Sequence, residues 1–175
     1  MERLSPLATW SCRLGVLALS AFALMVALAP LGLGAEDLVM PDLVFLILAI
    51  WQIRRPEVVS LALVLLVSLV ADLLRGAPLG LGTLALLGAL EVLARLRDSL
   101  GRSPFLVEWL TVALVFAGMI AAQCLALWLT FTPRPALAAL GQHVLGTALA
   151  YPLVLLVLRA LFPLGRAAGR QGSLP

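Results

Sequence analysis

The chain has 175 residues, of which 63% are apolar and only 12% charged, with a net charge of +3 and a mean hydropathy of +1.12. An average soluble domain is about 45–50% apolar and about 25% charged, and a chain of this length has too much surface to cover with so few charges. A soluble enzyme, a disordered chain and a nucleic-acid-binding module are excluded, and an integral membrane protein remains.

Six apolar segments follow one another: Leu14–Leu33, Val39–Ile53, Val58–Leu74, Pro78–Ala94, Phe105–Phe131 and Ala136–Phe162. A spanning helix needs about 20 residues. The first segment fits directly, the last two are long enough to tilt or to pass beyond the hydrocarbon, and the second to fourth are short. The runs are continuous and rich in Leu and Ala rather than alternating, which predicts helices. Helices also satisfy every backbone polar group in lipid. The fold class expected is therefore all-α: a polytopic bundle of six transmembrane helices over residues 1–164, followed by a polar tail over 165–175.

Stop signals separate the segments. Pro30, Gly32 and Gly34 end the first, and Pro41 stands where the second begins. Arg54, Arg55 and Pro56 close the second, with Pro56 expected in the first turn of the third. Gly76-Ala77-Pro78 makes the tightest turn, with Gly76 at positive φ and Pro78 opening the fourth helix. Gly101, Ser103 and Pro104 break before the fifth segment, and Pro133 and Pro135 before the sixth. The basic start and the small residues at Gly32–Ala35 resemble a secretory signal, but the apolar run is longer than such a peptide's core. The expectation is a retained, signal-anchor-like first span.

All twelve basic residues are arginines. With six spans, Arg3, Arg13, Arg54, Arg55, Arg95, Arg97, Arg102, Arg159, Arg166 and Arg170 fall on one side, and Arg75 and Arg134 on the other with Glu36 and Asp37. That asymmetry of ten to two places both termini in the cytoplasm. It would collapse if one short segment failed to span. The arginines form no basic face and no run of like charges, so no nucleic-acid partner is expected.

Chemistry is sparsely represented. The absence of lysine removes a phosphate-loop or Schiff-base lysine. Cys12, Cys124 and the single His143 do not assemble a zinc site, and neither a metal nor a cofactor is expected. The intramembrane ionisable residues are Asp42, Asp72, Glu91, Glu108 and His143, functional candidates because burying charge in lipid is costly. Each acid stands near a segment end. Asp72 is three residues from Arg75 and Glu91 four from Arg95, so boundary ion pairs are expected. Ser68, Thr111, Gln123 and Thr147 occupy the central layers, where such groups hydrogen-bond between helices. His143 has no serine in a nucleophile context, and Asp42 and Asp72 lack the glycine-flanked setting of a two-aspartate protease, so no catalytic residue is expected. Asp42, Asp72, Arg75, Gln142 and His143 fall toward the non-cytoplasmic side as a polar rim suited to another protein's transmembrane or juxtamembrane segment.

The stretch from Pro41 to Leu93 resembles the bacterial MreD family. The carrying residues are Pro41 before an apolar run, Trp51 and Pro56 at its end, then Asp72-Leu73-Leu74-Arg75-Gly76-Ala77-Pro78-Leu79-Gly80-Leu81. Tyr151-Pro152 with a basic end after it is similar to the family's last helix. The resemblance implies a non-enzymatic, multi-pass scaffold of the bacterial inner membrane that serves rod shape and lateral-wall peptidoglycan synthesis. It implies an MreC-like membrane partner, the MreB-type filament system, a wall polymerase–transpeptidase pair and membrane lipid. Together with Asp42 and His143 of the polar rim, it makes Pro41, Trp51, Pro56, Asp72, Arg75, Gly76, Pro78, Gly80 and Pro152 the structural or partner-binding candidates. The alternative is a substrate-binding subunit of an energy-coupling-factor-type vitamin transporter, which shares a six-helix architecture.

Overall fold

The computed structural model describes residues 6–28, 40–76, 78–130 and 136–162. They form six α-helices: α1 Pro6–Leu28, α2 Leu43–Arg54, α3 Leu61–Arg75, α4 Leu81–Leu100, α5 Phe105–Leu129 and α6 Leu137–Leu161. There is no strand among the described residues. Local chemistry fixes several ends. Asp42 caps α2 by accepting from the Phe45 amide at 3.0 Å, and Ser60 caps α3 by accepting from Leu63 at 3.3 Å. Gly76, at φ +63°, closes α3 in the left-handed conformation.

One helix is surrounded by the others. Nine of the twelve residues of α2 are buried, from Val44 to Trp51 without interruption and then Ile53. α2 packs against α1, α4 and α6, while α1–α3, α3–α4, α4–α5 and α5–α6 are neighbours around it. Phe45 meets Phe116 of α5 with ring centroids 4.8 Å apart. Just past α6, Phe162 lies edge-on to Trp51 and over Gly15, which brings the last helix back to the first.

Contacts between helix ends set the directions. Arg75 at the end of α3 meets Asp42 at the start of α2, and Arg54 at the end of α2 meets Glu108 in the first turn of α5. Arg13 of α1 donates to the Glu57 carbonyl just beyond α2. Successive helices therefore alternate in direction. Among the described residues, Arg13, Arg54, Arg55, Arg95, Arg97, Arg102 and Arg159 lie toward one end of the bundle, and Arg75 lies at the other, the glycine-turn end.

Thr9–Leu28, Phe105–Leu129 and Leu137–Leu161 are long and apolar enough to cross a membrane. α2, with 12 residues, is only about 18 Å long, and α3, with 15, about 22 Å. Several boundaries differ from the sequence expectation. α1 starts at Pro6 rather than Leu14, because Thr9 to Arg13 continue the helix despite their polarity. α4 runs to Leu100 instead of Ala94, extended by a Glu91–Arg95 pair at 2.8 Å. Pro56 lies in the 56–58 turn ahead of the Ser60 cap, not in the first turn of α3. Pro78 likewise precedes α4, its carbonyl accepting from Leu81 across a turn. The breaks at Pro30, Gly32, Gly34, Pro133 and Pro135, the residue Ala77, the arginines at 3, 134, 166 and 170 and the tail 165–175 lie outside the described residues.

Candidate functional site

Two buried polar clusters close the two ends of α2. At the glycine-turn end, α4 begins at a glycine, and Gly80, at φ +91°, has no side chain with which to cap the helix. Asp72, on the preceding helix α3, supplies that cap. Its Oδ2 accepts from the backbone amides of Gly80 and Thr83, each at 3.1 Å, and from the Thr83 hydroxyl at 3.0 Å. The carboxylate also faces the positive end of the α4 dipole. Gly82 makes room for it, since a Cβ there would overlap Asp72 Oδ1 and come within 3.1 Å of Cγ.

The expected Asp72–Arg75 pair is not formed. Arg75 instead reaches Asp42 Oδ2 at 3.3 Å, across to the start of α2. Asp42 already uses Oδ1 on the Phe45 amide, and its own N–H donates to Thr147 of α6 at 3.0 Å. Two backbone amides and a hydroxyl at the start of α4 thus occupy Asp72 Oδ2, and Arg75 compensates the other buried acid. Beside them, His143 Nδ1 donates to the Met40 carbonyl at 2.9 Å, and its ring lies 5.4 Å from that of Phe116. A carbonyl only accepts, so the proton stands on Nδ1.

A small cavity of about 30 Å³ lies here, lined by Asp42, Ser68, Asp72, Arg75 and Gln123 with apolar neighbours such as Phe45 and Met119. It has room for about one water. The residues expected to form an exposed polar rim are not presented as one. Asp42 and Asp72 are buried, His143 is half-buried, and Arg75 and Gln142 are exposed. Of the four mild polar groups expected to bond between helices, Thr147 does so. Ser68 and Thr111 return to carbonyls of their own helices, Val64 and Val107.

At the arginine-rich end, Glu108 is not a snorkelling boundary acid. It is 3% exposed and receives both Arg54, at 2.6 Å to each oxygen, and the Tyr151 hydroxyl. The side chains of Arg54 and Glu108 are only 5% and 4% exposed. The network ties α2, α5 and α6 together.

The residue after each partner adds a second tie. Pro152, inside α6, has no N–H to give the carbonyl of Ala148 four residues earlier. Trp109, next to Glu108, donates its indole N–H to that carbonyl at 2.7 Å. Glu108-Trp109 on α5 thus grips Tyr151-Pro152 on α6, and the carbonyl that the proline leaves free is satisfied by a neighbour.

Of the candidates named from sequence, Asp42, Asp72, Arg75, Gly80 and His143 come together at the glycine-turn end, with Pro41 adjoining Asp42 and Gly76 and Pro78 in the turn itself. Trp51 and Pro152 belong to the opposite end, and Pro56 to the turn beyond it. Sequence reasoning missed the pairing of Arg54 with Glu108, the role of Thr83 and that of Trp109. Cys12 and Cys124 are free and half-buried. The larger hollow, about 680 Å³, is an open apolar groove on the outside between α5 and α6, from Ala117 to Trp128 and Leu137 to Leu145. Among the described residues no three His, Cys, Asp or Glu side chains gather as a metal site.

No curated relative and no solved structure matches the chain. A family model described as rod shape-determining protein MreD matches residues 10–162, which takes in all six helices from the second turn of α1 onward. The chain belongs to that family: it is a membrane protein with a role in determining rod shape.

Proposed function

We propose that the protein is a non-enzymatic scaffold of the bacterial inner membrane, crossing it six times with both termini in the cytoplasm. It acts in lateral-wall peptidoglycan synthesis through an MreC-like membrane partner, and through that partner on the filament system and the wall polymerase–transpeptidase pair. One observation carries the reading. Every buried carboxylate among the described residues is engaged in joining helices: Asp42 joins α2 to α3, Asp72 joins α3 to α4, and Glu108 joins α2, α5 and α6. These groups build a rigid frame, and a rigid frame suits a part that positions others.

The alternation of helix direction and the gathering of seven described arginines at one end support the six-span orientation. The polar cavity among the described residues, about 30 Å³, is far below the roughly 300–1,000 Å³ of a small-molecule pocket, which disfavours a vitamin-binding subunit.

Recovery of partners from native membranes in mild detergent tests the reading. An MreC-like protein should be recovered with the tagged chain, and an ATPase pair in its place would favour the transporter subunit. Reporters check the topology: one fused after Pro175 or between Arg97 and Arg102 should read cytoplasm, and one at Glu36 periplasm. A periplasmic C-terminus would sink the six-span arrangement.

A further inference from the structure

The two sides of the bundle carry apolar belts of different height. On the α5–α6 side, Phe105–Leu129 has 25 residues, about 37 Å, and its acid Glu108 is buried. α6 meets its first charge at Arg159, about 33 Å from Leu137. Exposed Leu114, Leu125, Leu145 and Leu149 cover this side. With modest tilt it matches a hydrocarbon layer of about 30 Å.

The α3–α4 side is much shorter. Exposed apolar residues on α3 run from Leu61 to Leu74, about 20 Å, and end at Arg75. On α4 one outward stripe reads Leu84, Gly88, Glu91, Arg95, at spacings of three to four residues. It turns charged at Glu91, about 15 Å from Leu81. The Glu91 and Arg95 side chains are 60% and 78% exposed. Arg95 can snorkel along the helix toward its charged end, whereas Glu91 has only two methylenes with which to do so.

We propose that lipid against the α3–α4 face is thinned to about 20 Å, so that the bundle deforms the bilayer on one side only. The inference rests on the membrane-spanning reading above. The occupant of the face is lipid, because its flanking charges already have partners within the chain. Arg75 is paired with Asp42 and Arg95 with Glu91, so neither is left for another helix to complement. A second helix of ordinary length would also meet the same shortfall.

Depth measured by spin labels tests this on the full chain in bilayers of 18-carbon phosphatidylcholine. Single cysteines are placed at Leu66 and Val92 on the short side and at Leu114 and Leu149 on the tall side, with Cys12→Ser and Cys124→Ala as background. All four positions are exposed, and only monodisperse variants are compared. Labels at Leu114 and Leu149 should lie near the bilayer centre, about 15 Å from water. The label at Leu66 should lie within about 10 Å of water, half the local thickness, and that at Val92 at headgroup depth. Adding Glu91→Leu and Arg95→Leu should move the Leu66 label deeper.

A Leu66 label as deep as that at Leu114 overturns the thinning. So do immobile Leu66 and Val92 labels shielded from lipid-soluble oxygen, which would mean that protein covers the face. If the Leu114 and Leu149 labels read water, the membrane-spanning reading itself fails.

Discussion

Asp72 and Glu108 are both buried carboxylates in a helical membrane protein, yet they are neutralised by different means. Asp72 is held by the first turn of α4, eight to eleven residues further along the chain, through backbone amides and one hydroxyl. Glu108 is held by a guanidinium and a phenol, 54 and 43 residues away. The first arrangement is a helix cap delivered from the preceding helix, and the tight turn between the helices places it. The second is a charge pair that exists only when three separate helices have met. Local chain geometry can therefore secure the α3–α4 turn, whereas the arginine-rich end of α2 depends on helices far along the chain.

The largest expected effect follows from breaking the distant pair. Glu108→Leu should strand Arg54 inside the bundle and destabilise the fold by about 3–5 kcal/mol. The measurement is recovery of monodisperse protein after heating in detergent. Adding Arg54→Met should restore most of the loss, because an apolar pair of similar volume replaces a buried ion pair at little cost. If the double variant is as unstable as the single one, the network does more than neutralise charge.

The local cap should be less costly to break. Asp72→Ala removes three hydrogen bonds and should cost about 1–2 kcal/mol as a lost cap. Gly82→Ala should cost about 1–3 kcal/mol by overpacking against the same carboxylate. In cells either change should lower partner recovery and round the rods, more than Glu91→Ala does. Normal shape with both variants would mark the turn as a connector.

Trp109→Phe should cost about 1–3 kcal/mol by leaving the Ala148 carbonyl unpaired. Pro152→Ala returns an N–H to that carbonyl, so the tryptophan substitution should be nearly silent in its presence. A double-mutant cycle by thermal unfolding measures the coupling. The smallest effect belongs to His143→Ala. It loses one hydrogen bond to Met40 and should cost about 1 kcal/mol, with shape function retained. A folded, partner-bound yet inactive His143→Ala variant would argue against the scaffold reading.

These two regions also show how far the sequence could be read. Six helices in their order were legible because apolar continuity and Gly/Pro punctuation are local signals. The positive φ at Gly76 was legible for the same reason. The partner of Asp72 was not. Spacing of three residues suggests Arg75, but a helical side chain at this end leans back over the preceding turn, and four amide donors at the start of the next helix compete for the carboxylate. A sign was present in Gly80, a helix start without a capping side chain, with Thr83 at the third helical position. For Arg54, Glu108 and Tyr151 no periodicity links residues so far apart. Pro152 did carry a signal: a proline within an apolar span frees a carbonyl that some neighbour has to satisfy, and Trp109 is the indole that does.

The placement of α2 has a consequence for how the chain is made. It is the second helix to be synthesised, yet it is the one enclosed by all the others, and it is too short to cross a hydrocarbon layer alone. The counterion for Arg54 arrives with α5, and the hydroxyl for the Asp42 amide with α6. Until those helices have packed, Arg54 and the Asp42 amide lack these partners, and a flank of α2 that later becomes interior stays uncovered. Forming this helix and enclosing it are thus separate events, and α6 completes a core begun in the first third of the chain.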